Sequence, residues 1–120
     1  MSESRRTQVR LSEELRDKLD ESLKRDGVSP RKASEWLCAQ IRDLLATDEA
    51  LVTVGIGEAN MTFPIARNLT IDEETEVLLD KGLRILQGQD PRFVGATSAI
   101  VRAAIKRAAA RNSSGGAKQG

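Results

Sequence analysis

The sequence predicts a mostly α-helical fold with a short two-stranded antiparallel ribbon. Apolar residues recur at helical spacing, two short segments alternate between apolar and polar residues, and one strand–helix–helix pattern occurs twice. A chain of 120 residues has room for one compact domain, or for two very small ones that share a core. We therefore expect two repeats that pack together as an intramolecular pseudo-dimer.

Charge and composition restrict both the partners and the core. The 19 basic side chains nearly cancel the 18 acidic ones, so the formal net charge is +1 and any patch that binds a polyanion must be local. With one Trp, two Phe and 39% hydrophobic residues, the core is expected to be aliphatic.

Several classes of site are excluded by what the sequence lacks. Histidine is absent and Cys38 is the single cysteine, which rules out an intramolecular disulfide, a Cys/His metal site and a Ser-His or Cys-His catalytic pair. We therefore expect no enzymatic activity and no cofactor. No apolar run is long enough to span a membrane, and the charged start MSESRR is not a secretory signal, so we expect a cytoplasmic protein.

The first repeat, residues 1–46, begins with a predicted strand at 6–11. Thr7, Val9 and Leu11 alternate with polar residues, which is the period of a strand with one buried face. This alternation predicts a strand that packs on one side only.

A first helix should follow this strand and end near Asp26. Ser12 is a good N-cap, and the next two residues are Glu, whose charge is favoured at the positive end of the helix dipole. Gly27 suits the left-handed position after the last turn. The predicted apolar stripe recurs every four residues and consists of Leu15, Leu19 and Leu23.

A second helix should start after the turn VSPRK. Its N-terminus lies either at Ser29, with Pro30 as the first helical residue, or nearer Ser34. Cys38 on this helix is expected to be a small core residue. The stripe consists of Leu37, Ile41, Leu44 and Leu45.

A second repeat, residues 66–111, matches the first. A shift of 60 places 67–74 over 7–14, and a shift of 64 places SAIVRAAI at 98–105 over SEWLCAQI at 34–41, so four residues are added in the turn. One copy alone would leave its strand unpaired and would enclose little apolar volume, so the two strands should pair antiparallel.

The remaining segments are a linker and a tail. The linker, residues 47–65, contains three acidic and no basic side chains, and its apolar run LVTV could form an extra strand or a docking surface. Pro64 lacks an N–H group, so the second strand should begin after it. The tail, residues 112–120, has small and polar residues without apolar period, and we expect it to be disordered.

The stretch RTQVRLSEELRDKLDESLKRDGVS, followed by ASEWLCAQI, resembles the ribbon-helix-helix (MetJ/Arc-like) family of DNA-binding proteins. The resemblance covers residues 5–46 well and 66–110 more loosely. In that family the fold is normally an intertwined homodimer, and a tandem version in one chain resembles TraY-like conjugation accessory proteins. The second repeat departs from the family pattern, because its turn is longer and Arg67 occupies the inward position that matches Thr7.

The outward residues of the ribbon are the candidate base readers. The major groove of B-DNA admits a two-stranded β-ribbon, and outward side chains read the bases there. Because alternate residues of a strand point to opposite faces, each strand contributes three outward residues, and the two sets differ in chemistry. We therefore expect an asymmetric double-stranded DNA site with stronger discrimination beneath the first repeat. The first set is Arg6, Gln8 and Arg10, and the second is Ala66, Asn68 and Thr70.

The candidate phosphate contacts lie near the start of each second helix. The resemblance implies that backbone N–H groups there bind phosphates, assisted by the helix dipole. The candidates are Ser29, Arg31, Lys32 and Ser34 in the first repeat, Arg92, Thr97 and Ser98 in the second, and Arg5 near the N-terminus. Residues 91–120 also contain six basic side chains and no acidic one, which are Arg92, Arg102, Lys106, Arg107, Arg111 and Lys118.

These candidates also have purely structural interpretations. The polar residues of the first strand could be a solvated sheet face, and Ser29 and Ser34 could be helix caps with or without a phosphate contact. Arg102, Lys106 and Arg107 could be a solvated helix face.

Two functional hypotheses follow. The first is sequence-specific DNA binding without enzymatic activity, by a transcriptional repressor or by a plasmid transfer or partition accessory factor that could self-associate on longer sites. The alternative is an antitoxin or protein-interaction adaptor with a helical-bundle core. The short tail, which is almost without apolar residues, weakens the antitoxin version.

Overall fold

In the part of the chain that the structure describes, two β-strands and four α-helices follow one another in the order strand, helix, helix, twice over. The structure, a computed structural model, describes residues 5–48, 51, 54–55, 58, 61–89 and 95–119. The predicted fold class, mostly helical with a two-stranded antiparallel ribbon, is confirmed. The elements are β1 (Arg5–Leu11), α1 (Glu13–Arg25), α2 (Ala33–Thr47), β2 (Ile65–Ile71), α3 (Glu73–Gln89) and α4 (Ala96–Gln119), with a short 3₁₀ helix at Pro30–Lys32.

The ribbon is formed by β1 and β2, which pair antiparallel along their whole length. Gln8 lies opposite Asn68 at the centre, and Leu11 lies opposite Ile65 at one end. The inner face carries four fully buried residues, so the predicted alternation of buried and exposed positions is present. They are Val9, Leu11, Leu69 and Ile71.

The second strand begins directly after Pro64, as predicted, and it includes Arg67. Arg67 lies opposite Val9 on the inner side of the ribbon and is half-buried. The departure from the family pattern at this position therefore does not interrupt the strand.

The predicted cap residues begin and end α1. The Ser12 hydroxyl accepts a hydrogen bond from the backbone N–H of Leu15 at 3.2 Å. After the last turn, Gly27 adopts a positive φ of 68°, and the N–H of Val28 donates to the carbonyl of Leu23 at 2.8 Å. This is the Schellman arrangement, which uses glycine because a side chain there would be strained.

The start of α2 agrees with the second predicted alternative, nearer Ser34, whereas Ser29 and Pro30 stand at a separate turn. Pro30–Lys32 forms a separate 3₁₀ turn, and α2 begins at Ala33. Ser29 makes no side-chain cap bond to the 3₁₀ turn, and Ser34 lies just inside α2. Pro30 fixes the backbone φ angle at the start of the 3₁₀ turn. The hydroxyl of Ser34 does not cap α2 but accepts a hydrogen bond from the N–H of Thr70.

The four helices pack in an interleaved order. α1 packs on α4, α3 packs on α2, and α2 and α4 contact each other in the centre. In the same way, α4 lies against β1 and α2 lies against β2. The helices that follow one strand therefore bury their apolar stripes mainly against elements from the other half of the chain.

The linker contributes to this core. Leu51 is 2% exposed and Val54 is 8% exposed. A Cβ atom on Gly82 of α3 would lie 3.1 Å from Leu45 Cδ2 and 3.3 Å from Leu51 Cδ1. Glycine at this position therefore lets α2 and the linker lie close against α3. Val52 and Thr53, in the run for which a strand was considered, lie outside the described residues.

The last helix, α4, extends to Gln119. Disorder of the tail 112–120 stays a prediction. Alanine has the highest helix propensity, and a helix that has already formed adds one hydrogen bond for each further residue. The alanine run at 108–110 therefore favours continuation of the backbone helix.

Two surface grooves occupy matching places in the two halves. One lies between α1 and α4, and the other lies between α2 and α3. A shift of 60 relates four residues of the first groove to four of the second, yet the first is charged and the second is mostly apolar. The pairs are Lys18 and Leu78, Glu21 and Lys81, Ser22 and Gly82, and Arg25 and Ile85.

Within the described residues, every helix is too short or too polar to cross a membrane.

Shortening a core side chain tests the packing. Leu79 is fully buried in α3, whereas Val77, two residues earlier, is 64% exposed. We expect Leu79→Ala to lower the free energy of unfolding by about 2–5 kcal/mol, because it leaves a cavity. Val77→Ala should change it by less than about 0.5 kcal/mol. Urea titrations followed by circular dichroism measure both values, and equal losses would contradict the burial pattern.

Candidate nucleic-acid interface

The outer face of the ribbon consists of the six residues that strand parity selects. All six are exposed, and they form three cross-strand pairs. Alternate residues of a strand are about 6.6 Å apart, so the three pairs cover about 13 Å along the ribbon. The pairs are Arg6 with Thr70, Gln8 with Asn68, and Arg10 with Ala66.

Charge on this face is one-sided. Both guanidinium groups belong to β1, whereas the matching positions of β2 carry Ala, Asn and Thr. Only the central pair, Gln8 and Asn68, places the same functional group on both strands. The face can therefore donate charged, bidentate hydrogen bonds from one strand and only neutral contacts from the other.

The edges of the ribbon are bound by serines from the helices. In a two-stranded ribbon, every second residue points its N–H and C=O away from the partner strand. The N–H of Arg10 donates to Ser98 Oγ at 3.2 Å, and the N–H of Thr70 donates to Ser34 Oγ at 3.1 Å. Because Ser34 and Ser98 lie in the first turns of α2 and α4, both helix N-termini are held beside the ribbon.

The two carbonyl groups at these positions are bound differently. The C=O of Thr70 accepts from the thiol of Cys38, with Sγ at 3.5 Å. The C=O of Arg10 accepts from Arg102 Nη1 at 2.9 Å. The shift of 64 that relates the second helices also relates Cys38 to Arg102, so two very different donors occupy matching positions. Cys38 is 1% exposed, and its predicted place in the core is confirmed.

Several phosphate candidates lie near the N-terminus of α2. Ser29, Arg31 and Lys32 are exposed, and Ser34 is half-buried. Lys32 forms an exposed ion pair with Glu35 at 3.4 Å, which is weak enough to exchange for another anion.

In the second half, the helix-start candidates are only partly accessible. Thr97 and Ser98 are half-buried. The side chain of Arg5 and the whole of Arg92 lie outside the described residues, so the structure does not place these two candidates.

Three basic residues of α4, Arg102, Lys106 and Arg107, form ion pairs within the fold. Arg102 is 7% exposed, so its interpretation as part of a solvated helix face is wrong. It donates to both carboxylate oxygens of Glu58, and Lys106 pairs with the same carboxylate at 3.2 Å. Arg107 pairs with Asp43 of α2. Two carboxylates from elsewhere in the chain, Glu58 and Asp43, therefore offset two of these three positive charges from 91–120.

Sequence patterns did not indicate these contacts. Glu58 lies 44 residues before Arg102, and the only signal for it was the acidic character of the linker. The sequence repeat aligns Ser34 with Ser98. That each serine binds the strand of the other half could not be predicted, because it depends on how the two halves pack.

Asp72 begins α3 as Ser12 begins α1. Its Oδ1 accepts from the N–H of Thr75 at 2.8 Å, and its Oδ2 accepts from Arg42 at 3.1 Å. Burial raises the pKa of Asp72, but the hydrogen bonds from the Thr75 side chain and backbone and the charge of Arg42 outweigh it. The net pKa lies below its usual value, so the folded protein favours the ionised carboxylate.

Among the described residues, no group of three or more Cys, Asp or Glu side chains is placed to hold a metal ion. Comparisons of the chain with protein-family models, with curated proteins and with solved structures find no match. The functional assignment therefore rests on the ribbon face and the helix ends beside it.

The lowered pKa of Asp72 predicts a specific dependence of stability on pH. The stability that its ionised form contributes is complete above the usual Asp pKa of about 4, and it is lost as the pH falls through the lowered pKa of the folded state. Asp72→Asn keeps a good N-cap but removes the charge. We expect the unfolding free energy of this variant to fall less than that of the wild type on acidification below about pH 4. Urea titrations at several pH values measure both unfolding free energies. An equal fall in the two proteins would contradict the lowered pKa of Asp72.

Proposed function

We propose that the chain is a sequence-specific double-stranded DNA-binding protein that places its ribbon in the major groove. The observation that carries this proposal is the exposed row of six polar and small side chains on a ribbon with a helix N-terminus at each edge. A two-stranded ribbon fits the major groove, which is about 12 Å wide. Helix N-termini favour anions, so they are suited to the phosphates on either side of the groove.

We infer that the fold is a tandem ribbon-helix-helix arrangement, in which the two repeats form an intramolecular pseudo-dimer. Three matched features support this inference. The order of buried and exposed residues over 11–20 is the same as over 71–80. The serines of α2 and α4 bind matching N–H groups on opposite strands, and α1 and α3 each pack on the second helix of the other half. In such an arrangement Gln8 and Asn68 lie on the pseudo-twofold axis.

The unequal strands imply an asymmetric DNA site. Arg6 and Arg10 can each make bidentate hydrogen bonds to guanine, and Gln8 and Asn68 can each pair with adenine. Thr70 can bond a base or contact a thymine methyl group. Each good bidentate contact is worth about 1–3 kcal/mol of discrimination, so the bases beneath β1 should be read more strictly.

Contacts to phosphate would fix the register of the ribbon on the duplex. The backbone N–H groups at the starts of α2 and α4 are the central candidates, with Arg31, Lys32 and Ser29 beside the first of them. In this proposal Ser34 and Ser98 act chiefly as the residues that hold these helix ends against the ribbon.

In the cell, we infer a non-enzymatic role as a transcriptional repressor or as an accessory factor in plasmid transfer or partition. Both roles need a protein that recognises one DNA site and holds it. The chain has an aliphatic core and exposes polar side chains on the outer face of its ribbon, which suits a binding role.

Selection from random DNA gives the first test. Duplexes bound by the protein should share a motif whose two halves differ, with guanine and adenine preferences concentrated in one half. A palindromic motif would contradict the unequal roles of β1 and β2. Failure to enrich any motif, together with a stoichiometric protein partner on purification from cells, would favour the interaction-module hypothesis instead.

Substitution on the ribbon gives the second test. Gln8→Ala and Arg10→Ala should each reduce the preference for the selected site over a scrambled one, by roughly 5- to 150-fold for a lost bidentate contact. Both side chains are exposed, so the unfolding midpoint should hardly change. Fluorescence anisotropy with labelled duplexes measures the preference, and affinity should also fall steeply as salt is raised.

Lys81→Ala is the matched control for loss of a cation. Lys81 is exposed and lines the groove that also contains Leu45, which lies about 16 Å along α2 from Ser34. Its loss should leave the preference unchanged. An equal effect of Lys81→Ala and Arg10→Ala would show that general charge, and not base reading, is responsible.

A further inference from the structure

Arg102 of α4 lies nearly buried beneath the end of the ribbon that carries Arg10. Its Nη1 donates to the carbonyl of Arg10 at 2.9 Å. Its Nε and Nη2 donate to the two oxygens of Glu58 at 3.0 and 3.1 Å, which is a bidentate pair. The ring of Phe63 covers the guanidinium, with the carbon of that group 3.7 Å from the ring centroid. We call Arg102, Glu58 and Phe63 the Arg102 cluster.

The cluster joins the linker to the ribbon. Glu58 and Phe63 both belong to the linker, and the side chains of Arg102 and Glu58 are each 9% exposed. Burying an ion pair costs desolvation energy that its own attraction only roughly offsets. A buried pair of this kind contributes chiefly geometry, because a planar guanidinium with a bidentate partner and a stacked ring has little freedom to move.

The same helix also holds the other polar backbone group of Arg10. Ser98 accepts from the N–H of Arg10, and it lies one helical turn before Arg102. Both backbone groups of one reader are therefore fixed from a single helix. The end of a two-stranded ribbon would otherwise be free to fray, and a reader on a frayed end must be ordered when it binds, at a cost in affinity and discrimination.

The opposite end of the ribbon is bound by a weaker donor at the matching carbonyl. The C=O of Thr70 accepts from the thiol of Cys38, the residue that matches Arg102, and a thiol is a weak donor. A charged donor makes a hydrogen bond about twice as strong as a neutral one. The two ends of the ribbon thus differ in the donor that binds the backbone carbonyl as well as in their outward side chains.

We propose that Arg102 is a positioning residue for the reader Arg10, and that Glu58 of the linker holds Arg102 in place. This inference rests on the proposed DNA-binding function and assigns the linker a part in it. Arg102 touches no base in this scheme, because it lies under the ribbon. It fixes the backbone from which the Arg10 side chain reaches the groove, so discrimination at one base depends on the linker.

The test uses a double variant, Arg102→Met with Glu58→Leu. Replacing both members of a buried pair by apolar residues of similar size is often neutral for stability, whereas removing one leaves a buried charge. The base read by Arg10 is identified first, as the position whose preference is lost in Arg10→Ala. The preference at that base, the preference in the other half of the site and the affinity for scrambled duplex are then measured for each variant.

We expect the double variant to lower the preference at the Arg10 base by about tenfold, within the roughly 5- to 150-fold that a bidentate contact supplies. Preference in the other half and affinity for scrambled duplex should change by less than about twofold, a pattern that general loss of folding would not give. In the free protein, hydrogen exchange of the Arg10 amide should speed up while that of the Thr70 amide stays the same.

Two controls separate positioning from charge and from packing. Lys106→Gln removes the second cation on Glu58 without touching Arg10, and Cys38→Ala removes the matching donor in the other half. Both should leave the preference at the Arg10 base unchanged. If Lys106→Gln lowers it as much as the double variant does, charge near the ribbon is responsible and the positioning role is overturned.

The outcomes also separate this inference from the function on which it rests. A wild-type protein without any sequence preference overturns the proposed function and this role with it. If the wild type discriminates and the double variant discriminates equally well at the Arg10 base, the positioning role is wrong while the DNA-binding function stands.

Discussion

The two unpaired edges of the ribbon are the constraint on which the rest of the structure depends. A strand pair with no third strand leaves alternate N–H and C=O groups without partners, and such groups must be bound by something else. Here one N–H group on each strand, that of Arg10 or of Thr70, is bound by a serine from the first turn of α4 or α2, and each of these helices lies beside the strand of the other half. This exchange brings α1 onto α4 and α3 onto α2, and so it encloses a single aliphatic core.

The features that the sequence predicted well are those set by residues close together in the chain. The strand parity, the caps Ser12 and Gly27, and the leucine stripe of α1 each depend on residues within a few positions of one another, and they are found as predicted. The position of Cys38 in the core followed from its lack of any chemical partner.

What sequence reasoning missed was set by packing between distant segments. The ion pair of Glu58 with Arg102 joins residues 44 apart and needs a particular path of the linker over α4. The three basic residues at 102, 106 and 107 resemble a solvated helix face in one dimension, because their acidic partners lie in the linker and in α2. For the candidate interface, the six outward residues could be selected from alternation alone. The residues that bind the ribbon backbone, Ser34, Ser98 and Arg102, could not be predicted in this way, because hydrogen bonds to a strand edge leave no periodic pattern in the sequence.

The two grooves beside the helices have a consequence for how this protein can change over evolutionary time. When two identical chains pair, every substitution is made twice, so a residue that helps one side must also be tolerated on the other. In the tandem arrangement that we propose, both halves belong to one chain and that restriction is lifted. Leucine at 78 and lysine at 18 occupy matching places, and each can be altered without its counterpart. Under this proposal, each flank of the molecule is free to acquire its own side chains while the shared interior is kept.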